Sequence, residues 1–181
     1  MTECVIYQTL EDRSNYDEVE GNGPFPCCSS RAWLGKGYYF WDDEIKVAHN
    51  WAKHAGYNSN YIICESSYDY DNHNYLDLVG HPKHLRLVRD LYQVYKEYCP
   101  NKKKKITVPA FIEFVKAELG QNFNFQAIRA RSELKDYAFT LNFPGKRPAT
   151  MNLHPQIQIC VIDKSFLISP FRIVYPNSAV R

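Results

Sequence analysis

The chain has 181 residues and carries 22 Lys and Arg against 20 Asp and Glu, a formal charge of +2, too weak a bias to point by itself to nucleic acid or an anionic membrane. Its length suits one domain, residues 1–181, with a continuous core that needs no staples. No stretch approaches the roughly 20 apolar residues of a membrane helix, and the start, MTECVIYQTLEDRSN, lacks a basic segment followed by an apolar one, so a cytoplasmic location without membrane attachment is expected.

Glu3 to Leu10 is a β-rich run that begins the fold. The stretch that follows, Glu11 to Ser30, is rich in acidic, Gly, Pro and Ser residues and reads as a long loop, a candidate lid over a binding site. GKGYYFW, from Gly35, is a second strand. After it Ile45, Ala48, Trp51, Ala52 and Ala55 recur at helical spacing, with Asp42 as the expected N-cap and Gly56 past the C-terminus. NYIICESSYDY is a third strand and NYLDLVG a short apolar segment. Leu85, Val88, Leu91, Tyr92, Tyr95 and Tyr98 then form one face of a helix, and AFIEFVKAELG gives another. NFQAIRA, YAFTLNF, QIQICVID and FRIVY are short β-type runs crowded into the C-terminal third. These elements predict an α+β domain with mainly antiparallel strands and helices at the sides.

Six cysteines, Cys4, Cys27, Cys28, Cys64, Cys99 and Cys160, form no C-x-x-C pair, and three lie inside apolar runs, so buried thiols are expected rather than disulfides. The loop pair Cys27 and Cys28 is the place where oxidation would act. Asp69, Asp71 and His73 alternate as metal ligands on an extended segment could, but a solvated turn explains them as well, and no metal is expected. Lys102 to Lys105 reads as a solvated connection between helices; only Arg129, Arg131, Lys135, Lys146 and Arg147 could extend it into a basic groove. Nucleophile elbows, phosphate loops, zinc-protease motifs and dinucleotide fingerprints are all missing from the sequence.

One segment carries a resemblance. LGKGYYFWDDEIKVAHNWA is similar to the second strand and following helix of the ADP-ribosyltransferases, in particular the poly(ADP-ribose) polymerase-like branch, with Gly35, Lys36, Gly37, Tyr39 and Phe40 matching the G-K-G-x-Y-F motif. The resemblance implies a split, mainly antiparallel sheet and NAD as the substrate. Tyr39 would stack on the cationic nicotinamide ring, for which an aromatic face gives on the order of 1 kcal/mol per contact. Gly35 and Gly37 would let the backbone approach the ligand, and the backbone near Gln8 and Thr9 would hold the nicotinamide amide. Trp51 would form a second wall or pack behind the strand, while Tyr38, by alternation, faces the core.

The chain departs from that family at two positions. Gln8 stands where the family has histidine, and Gln156 or Gln158, facing the same side of a late strand, where it often has glutamate; Gln158 is the expected contact to the ribose because it lies inside the apolar run. Glutamine can hydrogen-bond a hydroxyl but brings no negative charge to an oxocarbenium-like transition state. Chain elongation is therefore not expected, and a carboxylate such as Glu65, Glu133 or Asp163 would have to substitute. The expectation is a mono-ADP-ribosyltransferase-like protein with Tyr39, Gln158 and Gln8 as catalytic residues, acting on a protein or nucleic-acid acceptor as bacterial toxins, effectors and defence proteins do, with an inhibitory partner conceivable. Two alternatives stay open: a non-catalytic binding module on the same fold, and an accidental motif whose aromatics are core.

Overall fold

The computed structural model describes residues 2–29, 32–98, 105–131, 139–144 and 149–176. The expected α+β class is what it shows: a mixed seven-stranded sheet in the order β4-β5-β8-β2-β1-β3-β9, a separate two-stranded sheet, and four α-helices. The strands are β1 (Glu3–Glu11), β2 (Tyr38–Asp42), β3 (Tyr61–Asp69), β4 (Tyr75–Asp77), β5 (Ala127–Arg131), β8 (Ile157–Val161) and β9 (Arg172–Tyr175), with β6 (Thr140–Asn142) and β7 (Thr150–Asn152) making the small hairpin. Within the large sheet every pairing is antiparallel except β4 with β5. Those two are joined by α3 (Pro82–Tyr98) and α4 (Val108–Leu119), the long crossover that a parallel pair requires.

Alternation sorts the side chains onto two faces. Ile6, Phe40, Ile62, Tyr68, Ile159 and Val161 point to one, where Val19 of α1 (Tyr16–Asn22) and the rings of Phe166 and Phe171 cover them. Tyr39 and Cys160 point to the other, packed with Ile128 and with Ile112 of α4; Trp41 and Ile63 share that second face under Val47, Ala48 and Ala52 of α2 (Ile45–His54). Tyr38 packs against the first face, as its parity predicts.

The first correction concerns the loop. Glu11 to Ser30 is not all loop: α1 occupies its middle, a two-turn helix whose Gly21 and Asn22 make it a weak helix former. It is held by tertiary contact instead, through the burial of Val19 and a bond from Ile173 N–H to Glu20 Oε1 at 2.9 Å. The second concerns Asp42. It is the last residue of β2 and buried, and Glu44 takes the N-cap position of α2.

Gly37 is fixed by the fold. A Cβ there would stand 2.5 Å from Cys160 Sγ and 2.7 Å from the Val161 carbonyl oxygen, so the strand approaches β8 only because the side chain is missing. Gly37→Ala is expected to cost about 1–3 kcal/mol as an overpacked site, read as a lowered urea midpoint with an unchanged slope.

Cys4, Cys27, Cys28, Cys64 and Cys160 are thiols, with Cys64 and Cys160 buried as expected of small apolar side chains. Cys99 lies outside the described residues, as do Lys102 to Lys104, Glu133, Lys135, Lys146 and Arg147. No described helix is long and apolar enough to cross a membrane.

Candidate functional site

The ladder between β1 and β2 is short. β1 pairs with β3 along its whole length, from Glu3↔Asp69 to Glu11↔Tyr61, and β2 pairs with β8 from Tyr38↔Val161 to Trp41↔Gln158. Between β1 and β2, however, only Ile6↔Asp42 and Tyr7↔Trp41 are in register. Past Tyr7 and Trp41 the sheet parts, leaving a split whose two lips are Gln8 to Leu10 and Tyr38 to Tyr39.

Gln8 bridges that split. Its Nε2 donates to the Phe25 carbonyl at 3.0 Å and to the Tyr39 carbonyl at 3.2 Å, and its Oε1 accepts from Phe25 N–H at 3.0 Å. The side chain is 5% exposed and in the Ile6 row, the face opposite Tyr39 and Gln158. The expectation that Gln8 meets a ligand together with those two is therefore corrected. Its carboxamide is committed to tying the Phe25 segment across the split, since a buried amide must place its donors and acceptor somewhere. The expected lid belongs to the same arrangement: Tyr16, Val19 and Phe25 pack on the Ile6 face, and Cys27 bridges to Gly37 at the start of β2.

Tyr39 lies on the second face, partly exposed. Its hydroxyl accepts from Leu34 N–H at 2.7 Å and donates to the Gly35 carbonyl at 2.7 Å, closing the approach loop against β2. Burial pushes its phenol well above the ordinary tyrosine range, so it is a neutral hydrogen-bonding group. Cys160, opposite it on β8, is likewise raised by burial, to about 11, and is a protonated thiol. Gly35 takes a left-handed φ of +90°, and a Cβ there would stand 3.3 Å from Glu113 Oε1. Gly35 thus serves the protein's own turn and Gly37 its close contact with β8.

Thr9 stands in the same row as Tyr7, and its Oγ1 donates to the Ala48 carbonyl of α2 at 2.9 Å. Gln158, not Gln156, lies within β8. It is directly opposite Trp41, 7% exposed, and its Oε1 is buried without a hydrogen-bond partner. A buried unpaired carbonyl oxygen costs on the order of 1–3 kcal/mol, so it marks a place where a donor is wanted. Trp51 reaches over from α2, its ring centroid 5.8 Å from that of Trp41, and Trp33 meets Trp41 edge-on at 6.4 Å. Trp33 and Trp51 stay 36% and 39% exposed, so Trp51 both packs and presents a surface. Of the expected site residues, Thr9, Tyr39, Trp51 and Gln158 lie on one side of the sheet, Tyr39 packed in the cluster beneath α4 and Trp51, Thr9 and Gln158 around Trp41 and α2.

The substitute carboxylates fare differently. Glu65 lies in the same transverse row, Gln158↔Trp41↔Tyr7↔Glu65↔Arg172, two strands from Trp41. Asp163 is taken up as a cap, accepting from Ser165 N–H at 2.9 Å. Asp69 and Asp71 accept from Thr2 and from the turn backbone, and no group of three potential ligands is placed to hold a metal among the described residues.

Two polar groupings were not foreseen. Glu44 Oε2 lies 3.1 Å from His154 Nε2, joining the start of α2 to the approach of β8. On the opposite face, Arg129 is no part of a basic groove: its Nε donates to Asp42 Oδ2 at 2.7 Å and its Nη1 to Asp77 Oδ1 at 3.2 Å. Parity was the available signal, because Asp42 shares the side of Phe40 and Asp77 that of Tyr75. Burial alone would lower the Arg129 pKa, but the Asp42 carboxylate and its hydrogen bond more than reverse this and keep the guanidinium charged. Burial lifts the Asp42 carboxyl above its usual range, with Arg129 pulling it back.

No protein-family model, no curated protein and no solved structure matches the chain.

Proposed function

We propose that the protein binds NAD on the Tyr39 and Gln158 face, beside the split between β1 and β2, and transfers one ADP-ribose to a macromolecular acceptor. The observation that carries this reading is the neighbourhood β8-β2-β1, which sets Gln158, Tyr39 and Thr9 on adjacent strands and one face, with the Gln158 Oε1 buried and lacking a donor. The order of these elements along the chain is compatible with the G-K-G-x-Y-F resemblance.

The chemistry follows from the groups present. Nicotinamide in NAD is a flat cation, to which the aromatic faces of Tyr39 and Trp51 offer attraction of about 0.5–2 kcal/mol each. Gln158 accepts from a ribose hydroxyl, which orients the sugar as the bond from its C1′ to nicotinamide opens. A neutral carboxamide does not stabilise the developing positive charge as a carboxylate does, so turnover is slow and transfer stops at one unit. The acceptor's nucleophilic atom takes the C1′ position, nicotinamide leaves with the bonding pair, and the acceptor's proton goes to solvent.

A second reading is a binding module without turnover. The specific observation in its favour is Gln8, whose two Nε2 hydrogens go to the Phe25 and Tyr39 carbonyls and whose Oε1 accepts from Phe25 N–H, on the face away from Gln158. Incubating the protein with labelled NAD and a cell extract separates the two. Transfer predicts nicotinamide release with a single ADP-ribose on a product, reduced about tenfold or more in Gln158→Ala. NAD binding without release supports the module; neither binding nor release overturns both.

A further inference from the structure

All three tryptophans of the chain meet at one place, from three different elements. Trp33 comes from the approach to β2, Trp41 from β2 itself and Trp51 from the second half of α2. Burying one large ring in a core needs no such convergence, and two of the three remain more than one-third exposed. Directly opposite Trp41, across the β2 to β8 ladder, is Gln158, whose buried Oε1 is unpartnered. Glu44 follows Trp41 by three residues and contacts His154, four residues ahead of Gln158, so its carboxylate stands at the same end of the β2 and β8 pair.

These groups share one property: indole faces, an amide carbonyl oxygen and a carboxylate all attract positive charge or N–H donors. We infer that the Trp33, Trp41 and Trp51 cluster, with Gln158 and Glu44, is a binding site for the guanidinium group of an arginine side chain. A guanidinium is flat enough to stack on indole, keeps its charge, and presents five N–H donors in one plane, so a single group can serve both Gln158 and Glu44 while lying against a ring. An alkylammonium lacks the plane, and an N-alkylated pyridinium, as in NAD, has no N–H on its ring. Trp33 and Trp51, more than one-third exposed, are the rings such a group can reach from solvent. The site adjoins the NAD face and shares Gln158 with it, but binding here does not depend on any reaction of NAD.

Because every tryptophan of the chain is in the cluster, intrinsic fluorescence reports on it directly. The test is a titration of the full chain, without NAD, with Nα-acetylarginine amide. Parallel arms use the citrulline analogue (flat, neutral), the lysine analogue (charged, not flat) and 1-methylnicotinamide (a flat pyridinium). Arginine amide should bind at least about tenfold more tightly than each of the other three. Calorimetry should show Trp33→Ala and Gln158→Leu each weakening it about tenfold; Gln158→Leu leaves no orphaned oxygen and keeps the test open if Trp33→Ala is misfolded. Equal binding of arginine and lysine or citrulline analogues, no binding at all, or folded variants that bind like the parent protein overturns the proposal. Tighter binding of 1-methylnicotinamide overturns the guanidinium assignment and gives the cluster to the NAD ring. Absence of nicotinamide release from NAD sinks the transferase reading and leaves this titration unaffected.

Discussion

Arg129→Ala is expected to be the most destabilising single change on the first face of the sheet, costing about 3–5 kcal/mol, as breaking a buried ion pair by removing one partner does. The side chain is 11% exposed and holds two carboxylates, Asp42 and Asp77, which are themselves 5% and 7% exposed. Asp77 keeps its bonds from Val79 and Gly80 N–H, and Asp42 keeps the Tyr68 hydroxyl, yet neither of those neighbours carries a positive charge. Truncation therefore leaves buried negative charge on two strands that Arg129 ties together across the sheet. In a chain of this size each kcal/mol shifts the melting temperature by roughly 2–4 °C, so a fall of about 10 °C is predicted. Arg129→Lys should fall between, since it restores charge but not the two-armed geometry. Urea unfolding of the three proteins checks this, and a loss below about 1 kcal/mol for Arg129→Ala would show that the network is screened by water, as an exposed pair is.

This network shows where a reading of the sequence stops. Alternation along β1, β2, β3 and β8 is visible in the letters, and so are the helical stripes of α2 and α4; these elements form where they are expected. Asp42 reads as a helix cap because Asp is favoured just before a helical run. What decides its role is Arg129, 87 residues away, and only the pairing of β5 with β8 and β8 with β2 brings the two together. Helix α1 is hidden for a similar reason: its local propensity is poor, and it exists because Val19 has a place to be buried.

The candidate site is legible to the same extent. Alternation puts Gln156 and Gln158 on one side of a late strand, but that this strand pairs with β2 and sets Gln158 opposite Trp41 is visible only in the fold. Gln8 shares the parity of Ile6, but that this is the face opposite Tyr39 depends on how β1 pairs with β2. The motif glycines could be read either as ligand room or as backbone packing, and the choice depends on Cys160, Val161 and Glu113, which are distant in the chain. The convergence of Trp33, Trp41 and Trp51 has no local signature at all, because it joins a loop, a strand and a helix.

The second large effect concerns rate. Gln158 lies on the face of Tyr39 and opposite Trp41, and in the proposed reading it stands where a carboxylate is expected. Preorganised charge at a developing cation is among the largest contributions an active site makes, and gain or loss of one such group changes turnover by about a hundredfold. Gln158→Glu changes the side chain by one atom and nearly preserves its volume. It places a carboxylate in a buried setting, so its pKa is raised and the benefit grows with pH as that group ionises.

Nicotinamide release from NAD, followed side by side for the parent protein and for Gln158→Glu at neutral pH and above, is the most direct test of the proposal that this face uses NAD. Slow release by the parent and release about a hundredfold faster by the variant, rising with pH, is the predicted result. No release from either protein, with both folded by circular dichroism, contradicts it and leaves the Tyr39 and Gln158 face without turnover of NAD.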